Sequence, residues 1–98
     1  MSNWKEQSID IGIVRHNEKK LIKFISTKHL DIARVQTGCS MCTKFIDYKN
    51  NELILQYTGE ERPYHLKNIN SGLYISKFVH IYLEDGSIDT LTFNATLM

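Results

Sequence analysis

The chain has 98 residues, of which 42% are hydrophobic and 23% charged, a composition typical of a single globular domain with one core. Its formal net charge of +1 gives no argument for nucleic acid or an anionic membrane as a partner. No stretch approaches the ~18 apolar residues of a membrane-spanning helix, and the N-terminus lacks the apolar core of a secretory signal. We therefore expect a protein that stays in the compartment where it is made.

The first eight residues are polar apart from Trp4. This composition predicts an N-terminal arm at 1–8, followed by the folded domain at 9–98. Two roles for Trp4 stay open. Its ring packs back onto the edge of the domain, or it anchors a protein partner or a second copy, because exposed tryptophan favours interfaces.

Short segments in which apolar and polar residues alternate follow the arm, and this period of two indicates half-buried strands. The segments lie at 9–14, 20–26, 32–36, 43–47, 53–58, 74–83 and 87–97. The second has apolar residues on both faces, with Leu21 and Ile25 opposite Ile22, which predicts a central strand. The fourth is predicted to be a short edge strand, before a turn at 48–51. The break after the fifth contains the one proline, and residues 64–72 give no clear pattern.

The last quarter of the chain carries a strong hairpin signal, Glu84-Asp85-Gly86, between two long strand patterns. A three-residue loop at 84–86 places Val79 opposite Leu91 and gathers the apolar residues on one face. That face contains Val79, Ile81, Leu83, Leu91, Phe93 and Ala95. A two-residue loop would mix apolar and polar residues on both faces, so we predict the three-residue loop, with its glycine in the left-handed conformation. One mismatched pair remains, Ile81 opposite Asp89.

No window of the sequence keeps a helical period for three turns, and turn signals recur every eight to twelve residues. This pattern is typical of two packed antiparallel sheets. The predicted fold class is therefore all-β, with a single antiparallel β-sandwich of about seven strands.

Both cysteines lie in one turn, Cys39-Ser-Met-Cys42. Their spacing lets two thiolates bind one metal, with zinc as the expected ion, or lets the pair close a small disulfide ring. A zinc site would need two further ligands, and the four histidines have no paired spacing that completes a known motif. A redox thiol would need a following helix, which the pattern lacks. In a reducing compartment the third alternative, free thiols packed under a strand crossover, is favoured over a bridge.

The sequence lacks the common signatures of catalysis. No serine, histidine and acid cluster has a nucleophile motif around it, and no glycine-rich phosphate loop is present. The tyrosines have few basic residues around them, so a single-stranded nucleic-acid platform is not expected. We predict that the protein is not an enzyme and binds neither nucleic acid nor membrane.

Several stretches resemble a bacterial family of immunoglobulin-like domains of unknown function. Asp10-Ile-Gly-Ile-Val14, then Glu18-Lys19 and Lys23-Phe24-Ile25, match its opening strands. The segment 33–43 stands where that family has a Cys-Gly-Cys-Thr motif, with one extra residue between the cysteines. The related abnormal-spindle and Hydin-type domains are non-catalytic interaction modules. The resemblance implies a seven-stranded immunoglobulin-like sandwich and offers no catalytic residues, while the export signal common in the family is absent here.

The sequence therefore predicts a non-catalytic binding or assembly module, which acts on a protein partner or on itself through an exposed strand edge. Its richness in Asn, Ile and Lys suits an AT-rich genome, so a phage or virion-associated structural protein, or a cytoplasmic one, is expected by analogy. The alternative is a small metal-binding or thiol-redox protein that uses Cys39 and Cys42.

Overall fold

Seven strands account for most of the computed structural model, which describes residues 3–38, 42–60 and 72–98. They are β1 (Ser8–Val14), β2 (Lys19–Ile25), β3 (Ile32–Thr37), β4 (Thr43–Lys49), β5 (Glu52–Thr58), β6 (Leu73–Leu83) and β7 (Ile88–Leu97). They form a four-stranded sheet of order β1-β7-β6-β3 and a three-stranded sheet of order β2-β5-β4. The predicted all-β sandwich is confirmed. Of the unclear segment 64–72, all but Gly72 lies outside the described residues.

The strand order follows the immunoglobulin pattern, in which β7-β6-β3 and β2-β5-β4 face each other. One pair departs from the antiparallel expectation, because β1 runs parallel to β7. The other strand pairs that the structure describes are antiparallel. No helix in the described part of the chain could cross a membrane.

The hairpin of β6 and β7 has the predicted register. Val79 pairs with Leu91, the Leu83 N–H donates to the Ser87 carbonyl over 2.9 Å, and Gly86 has a φ of 90°. All six residues of the predicted apolar face are buried. The other sheet adds Ile22, Phe24, Leu53, Leu55 and Tyr57 to this core.

Two strand assignments are corrected. β2 is an edge strand and not a central one, since it pairs only with β5. Its outward residues Leu21 and Ile25 are 62% and 40% exposed, and single exposed apolar residues need no second layer to cover them. β4 is an edge strand as predicted but reaches Lys49, because the turn consists only of Asn50 and Asn51, both with positive φ.

The N-terminal arm is held by both sheets. The Lys5 N–H donates to the Ile25 carbonyl and the Thr27 N–H to the Asn3 carbonyl, each over 2.8 Å, at the end of β2. Two residues later the Gln7 carbonyl accepts from the Thr92 N–H of β7, also over 2.8 Å. The arm thus crosses from the three-stranded sheet to the four-stranded one.

Trp4 is the buried centre of this crossing, with 3% of its surface exposed. Its indole N–H donates to Asp89 Oδ2 over 3.0 Å, and the Asn3 amide donates to the same oxygen over 3.0 Å. These bonds explain why an aspartate is tolerated opposite Ile81. Trp4 therefore takes the first of its two expected roles, and in this fold it presents no exposed ring to a partner.

The turn between β1 and β2 rests on Gly59, directly after β5. The Asn17 N–H donates to the Gly59 carbonyl over 2.9 Å, and the Gly59 N–H donates to the Glu18 carbonyl over 2.7 Å. A Cβ at this buried position would overlap the Arg15 carbonyl oxygen and approach Val14 Cγ1 to 2.9 Å. Glycine is required at position 59 because the main chain of the turn occupies the space that a Cβ atom would need.

We predict that Gly59→Ala lowers the free energy of unfolding by at least about 2 kcal/mol, because the clash is with main-chain atoms that cannot move alone. Urea unfolding monitored by circular dichroism measures the change. Gly38→Ala is the matched control, since its Cβ would meet only the Phe78 carbonyl oxygen at 3.7 Å. Equal stabilities of the two variants would contradict this role for Gly59.

Candidate interaction surface

The outer surface of the four-stranded sheet is formed by the side chains of β6, β7 and β3 that alternate with the core residues. We call this surface the aromatic face. It contains Tyr74, Ser76, Phe78, His80, Tyr82, Ile88, Thr90, Thr92, Asn94, Thr96, Arg34 and Gln36. Three large apolar or aromatic members, Tyr74, Phe78 and Ile88, are 59%, 54% and 55% exposed.

Side-chain hydrogen bonds between β6 and β7 organise the aromatic face. Ser76 Oγ donates to Asn94 Oδ1 over 2.7 Å, and His80 Nδ1 lies 3.1 Å from Thr90 Oγ1. Both are directly opposed cross-strand pairs, so each bond fixes side chains that already share one level of the sheet. The polar part of this surface is therefore ordered before any partner arrives.

Two residues of the neighbouring strand β3 hold the Tyr82 side chain, one at the face of the ring and one at the hydroxyl. The Arg34 guanidinium carbon lies 4.2 Å from the ring centroid, a cation–π contact. The Tyr82 hydroxyl donates to Gln36 Oε1 over 3.0 Å. A ring fixed in this way loses little conformational entropy on binding.

Charge distinguishes the two outer faces of the sandwich. The three-stranded sheet carries charged side chains on each of its strands: Lys19 and Lys23, Lys44, Asp47 and Lys49, and Glu52. In the aromatic face as defined above, the charged residue is Arg34, and next to that face β1 adds the exposed Asp10, which pairs with Asn94. Interface centres are depleted of charge and enriched in aromatic residues, so the aromatic face is the candidate interaction surface.

The predicted strand edges are less regular than this face. β3 and β4 end their respective sheets, and each carries a register shift, between Ile32 and Arg34 in β3 and between Phe45 and Asp47 in β4. Bulges in edge strands interrupt the run of free backbone groups and protect an edge from pairing. At β3 and β4 only short stretches of regular edge therefore remain for strand addition, whereas β2 keeps a regular register and is bonded by the arm at Ile25.

The expectation of free thiols is wrong for Cys42, which is buried and disulfide-bonded. The chain's other cysteine, Cys39, lies outside the described residues. The Thr37 hydroxyl donates to the Thr43 carbonyl over 3.0 Å, so the ends of β3 and β4 that flank the cysteine turn lie together. Because a disulfide has no thiolate to bind a metal, zinc binding by Cys39 and Cys42 stays a prediction for the reduced pair.

Among the described residues, no histidine completes a metal site with a cysteine. His16 lies in the turn after β1, His29 lies before β3 with Nε2 3.7 Å from Asp31 Oδ1, and His80 lies on the aromatic face. His65 falls outside the described residues. No three His, Cys, Asp or Glu side chains among residues 3–38, 42–60 and 72–98 lie close enough to hold a metal ion.

One cluster of titratable groups joins the two sheets. Glu60 Oε1 accepts from the Tyr57 hydroxyl over 2.8 Å and lies 2.7 Å from Lys77 Nζ. Burial raises the pKa of the Glu60 carboxyl, but the hydrogen bonds from Lys77 and Tyr57 outweigh it, so the net pKa lies below its ordinary 4.5. Burial and the bond to Glu60 raise the pKa of the Tyr57 hydroxyl. The cluster lets Lys77 occupy an inward position opposite Phe93.

The sequence patterns did not lead to recognition of the aromatic face. The predicted hairpin register already indicated this surface, because it places Phe78 and His80 on the side of the sheet opposite the core. The contribution of Arg34 could not be found in this way, because it depends on the pairing of β3 with β6.

Comparison of the chain with protein-family models, with curated proteins and with solved structures finds no significant match. The resemblance to the bacterial immunoglobulin-like family therefore stays a prediction from the residues quoted above.

We predict that Glu60→Gln lowers the free energy of unfolding at neutral pH by about 1 kcal/mol, because the pair with Lys77 is only partly buried. The difference from the unsubstituted protein should shrink as the pH falls below 4.5. A carboxyl whose pKa is depressed by folding stabilises above its unfolded pKa, and this stability is lost as the pH falls through the folded value. Urea unfolding across acidic pH measures the difference. Glu6→Gln is the exposed control, and a pH-independent difference for Glu60→Gln would count against the cluster.

We predict that the combined substitutions Cys39→Ser and Cys42→Ser lower the free energy of unfolding by at most about 2 kcal/mol, since a bridge between residues so close in sequence closes a very small loop. The fold should persist by circular dichroism. Elemental analysis and thiol titration of the reduced, tag-free protein test the metal alternative. Stoichiometric zinc that disappears in the double variant would establish that alternative.

Proposed function

We propose that the protein is a non-catalytic immunoglobulin-like assembly module, and that the aromatic face binds a second copy of the chain. The observation that carries the proposal is the combination of exposed aromatic and apolar side chains, such as Phe78, with little charge on the same flat surface. The face presents hydroxyl, amide and aromatic groups in an ordered array, which suits binding more than catalysis.

A second copy is the favoured occupant because a two-fold dimer places the same surface against itself. A face with several like charges would repel its own copy, as the lysines of the three-stranded sheet would. On the aromatic face, the Arg34 guanidinium already contacts the Tyr82 ring. Arg34 belongs to β3, which is at one end of the four-stranded sheet, so the guanidinium charge can stay near water.

The size of the aromatic face also fits a dimer. Between Tyr74 and Tyr82, β6 extends roughly 28 Å at ~3.4 Å per residue, and three strands spaced ~4.8 Å apart give a width of about 14 Å. The projected area is therefore on the order of 400 Å². Side-chain relief raises the accessible area toward the ~800 Å² per partner of a standard interface.

Two other assignments from the sequence stay predictions. The strand-edge route is less favoured than the face because of the bulges in β3 and β4. The phage or virion setting and the cytoplasmic location have no further support. The disulfide-bonded state of Cys42 leaves no thiolate for a metal, so the metal alternative is not favoured, and the thiol-redox alternative stays a prediction.

We predict that the protein forms a reversible dimer and that Phe78→Lys weakens it at least ~10-fold, because a charge would be desolvated at the centre of the interface. Sedimentation equilibrium over micromolar to millimolar concentrations measures the dissociation constant. The matched control is Leu21→Lys, which makes the same substitution at a 62% exposed strand residue on the outer face of the other sheet.

Circular dichroism should show that both variants keep the fold, since both side chains are more than half exposed. A protein that stays monomeric at every concentration would overturn the self-association proposal. Equal weakening by Leu21→Lys would overturn the choice of face.

A further inference from the structure

A groove of about 520 Å³ lies between β3 and β4, away from the side of the sandwich where the N-terminal arm joins β2 and β7. β3 and β4 are the end strands of different sheets, so no ladder closes the space between them. The strands are linked where Thr37 donates to the Thr43 carbonyl over 3.0 Å. Near Ile32 and Tyr48, at the other ends of the strands, the segment before β3 contacts β4, where the His29 and Tyr48 ring centroids lie 6.0 Å apart.

About half of the groove lining is apolar. Ile32 and Val35 are half-buried and pack against the core, and the Phe45 ring is 45% exposed. Tyr48 turns its hydroxyl inward, where it lies 2.8 Å from Ser26 Oγ and accepts from the Leu30 N–H over 3.1 Å. Tyr48 therefore offers the groove its ring and not its polar end.

The rim of the groove is acidic. Asp31, Asp47 and Glu84 carry the carboxylates among its lining residues. Arg34 also lines it, but its guanidinium lies over the Tyr82 ring on the aromatic face. His29 lies 3.7 Å from Asp31, and both side chains are exposed. The charges that face a ligand in this groove are therefore mainly negative.

We propose that this groove binds an extended peptide segment in which lysine or arginine alternates with apolar residues. In an extended segment successive side chains point to opposite sides. Apolar side chains would contact Phe45 and Val35 while basic side chains reach Asp47 and Glu84 at the rim. The volume falls in the range of ligand pockets, ~300–1,000 Å³, and admits a peptide segment but not a folded surface.

This site goes beyond the dimer proposed above and lies on a different part of the molecule. The aromatic face is nearly uncharged and broad, whereas the groove is narrow and acidic. Self-association and peptide binding can therefore succeed or fail independently. The Phe78→Lys variant, which lacks the apolar centre of the aromatic face, provides a background in which only the groove is tested.

The test uses two blocked peptides, acetyl-Lys-Val-Lys-Val-Lys-amide and its counterpart with glutamate in place of lysine. Each is added to the ¹⁵N-labelled Phe78→Lys variant, and amide chemical shifts are followed by NMR. We expect saturable shifts from the lysine peptide, concentrated in β3 from Ile32 to Val35 and in β4 from Phe45 to Tyr48. The glutamate peptide should bind at least ~10-fold more weakly, since like charges at the rim repel it.

Paired substitutions then locate the site. Asp47→Asn with Glu84→Gln should raise the dissociation constant for the lysine peptide about fivefold, as expected for two partly exposed charge pairs. Glu6→Gln with Glu52→Gln changes the net charge equally, away from the groove, and should leave binding unchanged. The proposal is overturned by equal affinity for the two peptides, by shifts outside the groove, by an equal effect of the control pair, or by no binding at all.

Discussion

The crossing of the N-terminal arm between the sheets is the contact on which the arrangement of this sandwich depends. The indole of Trp4 and the amide of Asn3 both donate to Asp89 Oδ2, while the arm's backbone bonds to β2 and then to β7. A buried tryptophan of this kind is worth about 3–5 kcal/mol when truncated. The crossing delivers β1 to β7 in the parallel sense, which an antiparallel hairpin could not do, and so completes the four-stranded sheet.

The same crossing makes the two sides of the sandwich different. On one side, β1 and β2 are joined by the arm and by the turn that rests on Gly59. On the other side, no ladder joins β3 and β4; they are linked near Thr37 and Thr43 and by the Leu30–Tyr48 hydrogen bond, and a groove lies between these links. A sheet edge that the chain covers is closed to partners, so binding is expected where the chain leaves a surface uncovered.

The outer surfaces of the sandwich also differ in charge. Lysines of β2 and β4 keep the three-stranded face hydrated, and the inward-facing Lys77 is neutralised by Glu60. The aromatic face carries Phe78 and Tyr74 among hydroxyl and amide groups, whereas the groove sets carboxylates around apolar side chains. These three surfaces suit solvent, a second copy and a basic peptide respectively, because desolvating a charge without a partner is unfavourable.

The sequence by itself determined the strands, the all-β class, and the register of the β6–β7 hairpin, because alternation and turn chemistry are local properties. It also contained the aromatic face in the outward residues of β6. Only the tertiary structure decided that β2 lies at an edge, that Trp4 is buried against Asp89, and that Arg34 covers Tyr82. These features depend on contacts between residues far apart in the chain, where local periodicity carries no information. The groove between β3 and β4 belongs to the same class, since it follows from how two strands of different sheets lie together.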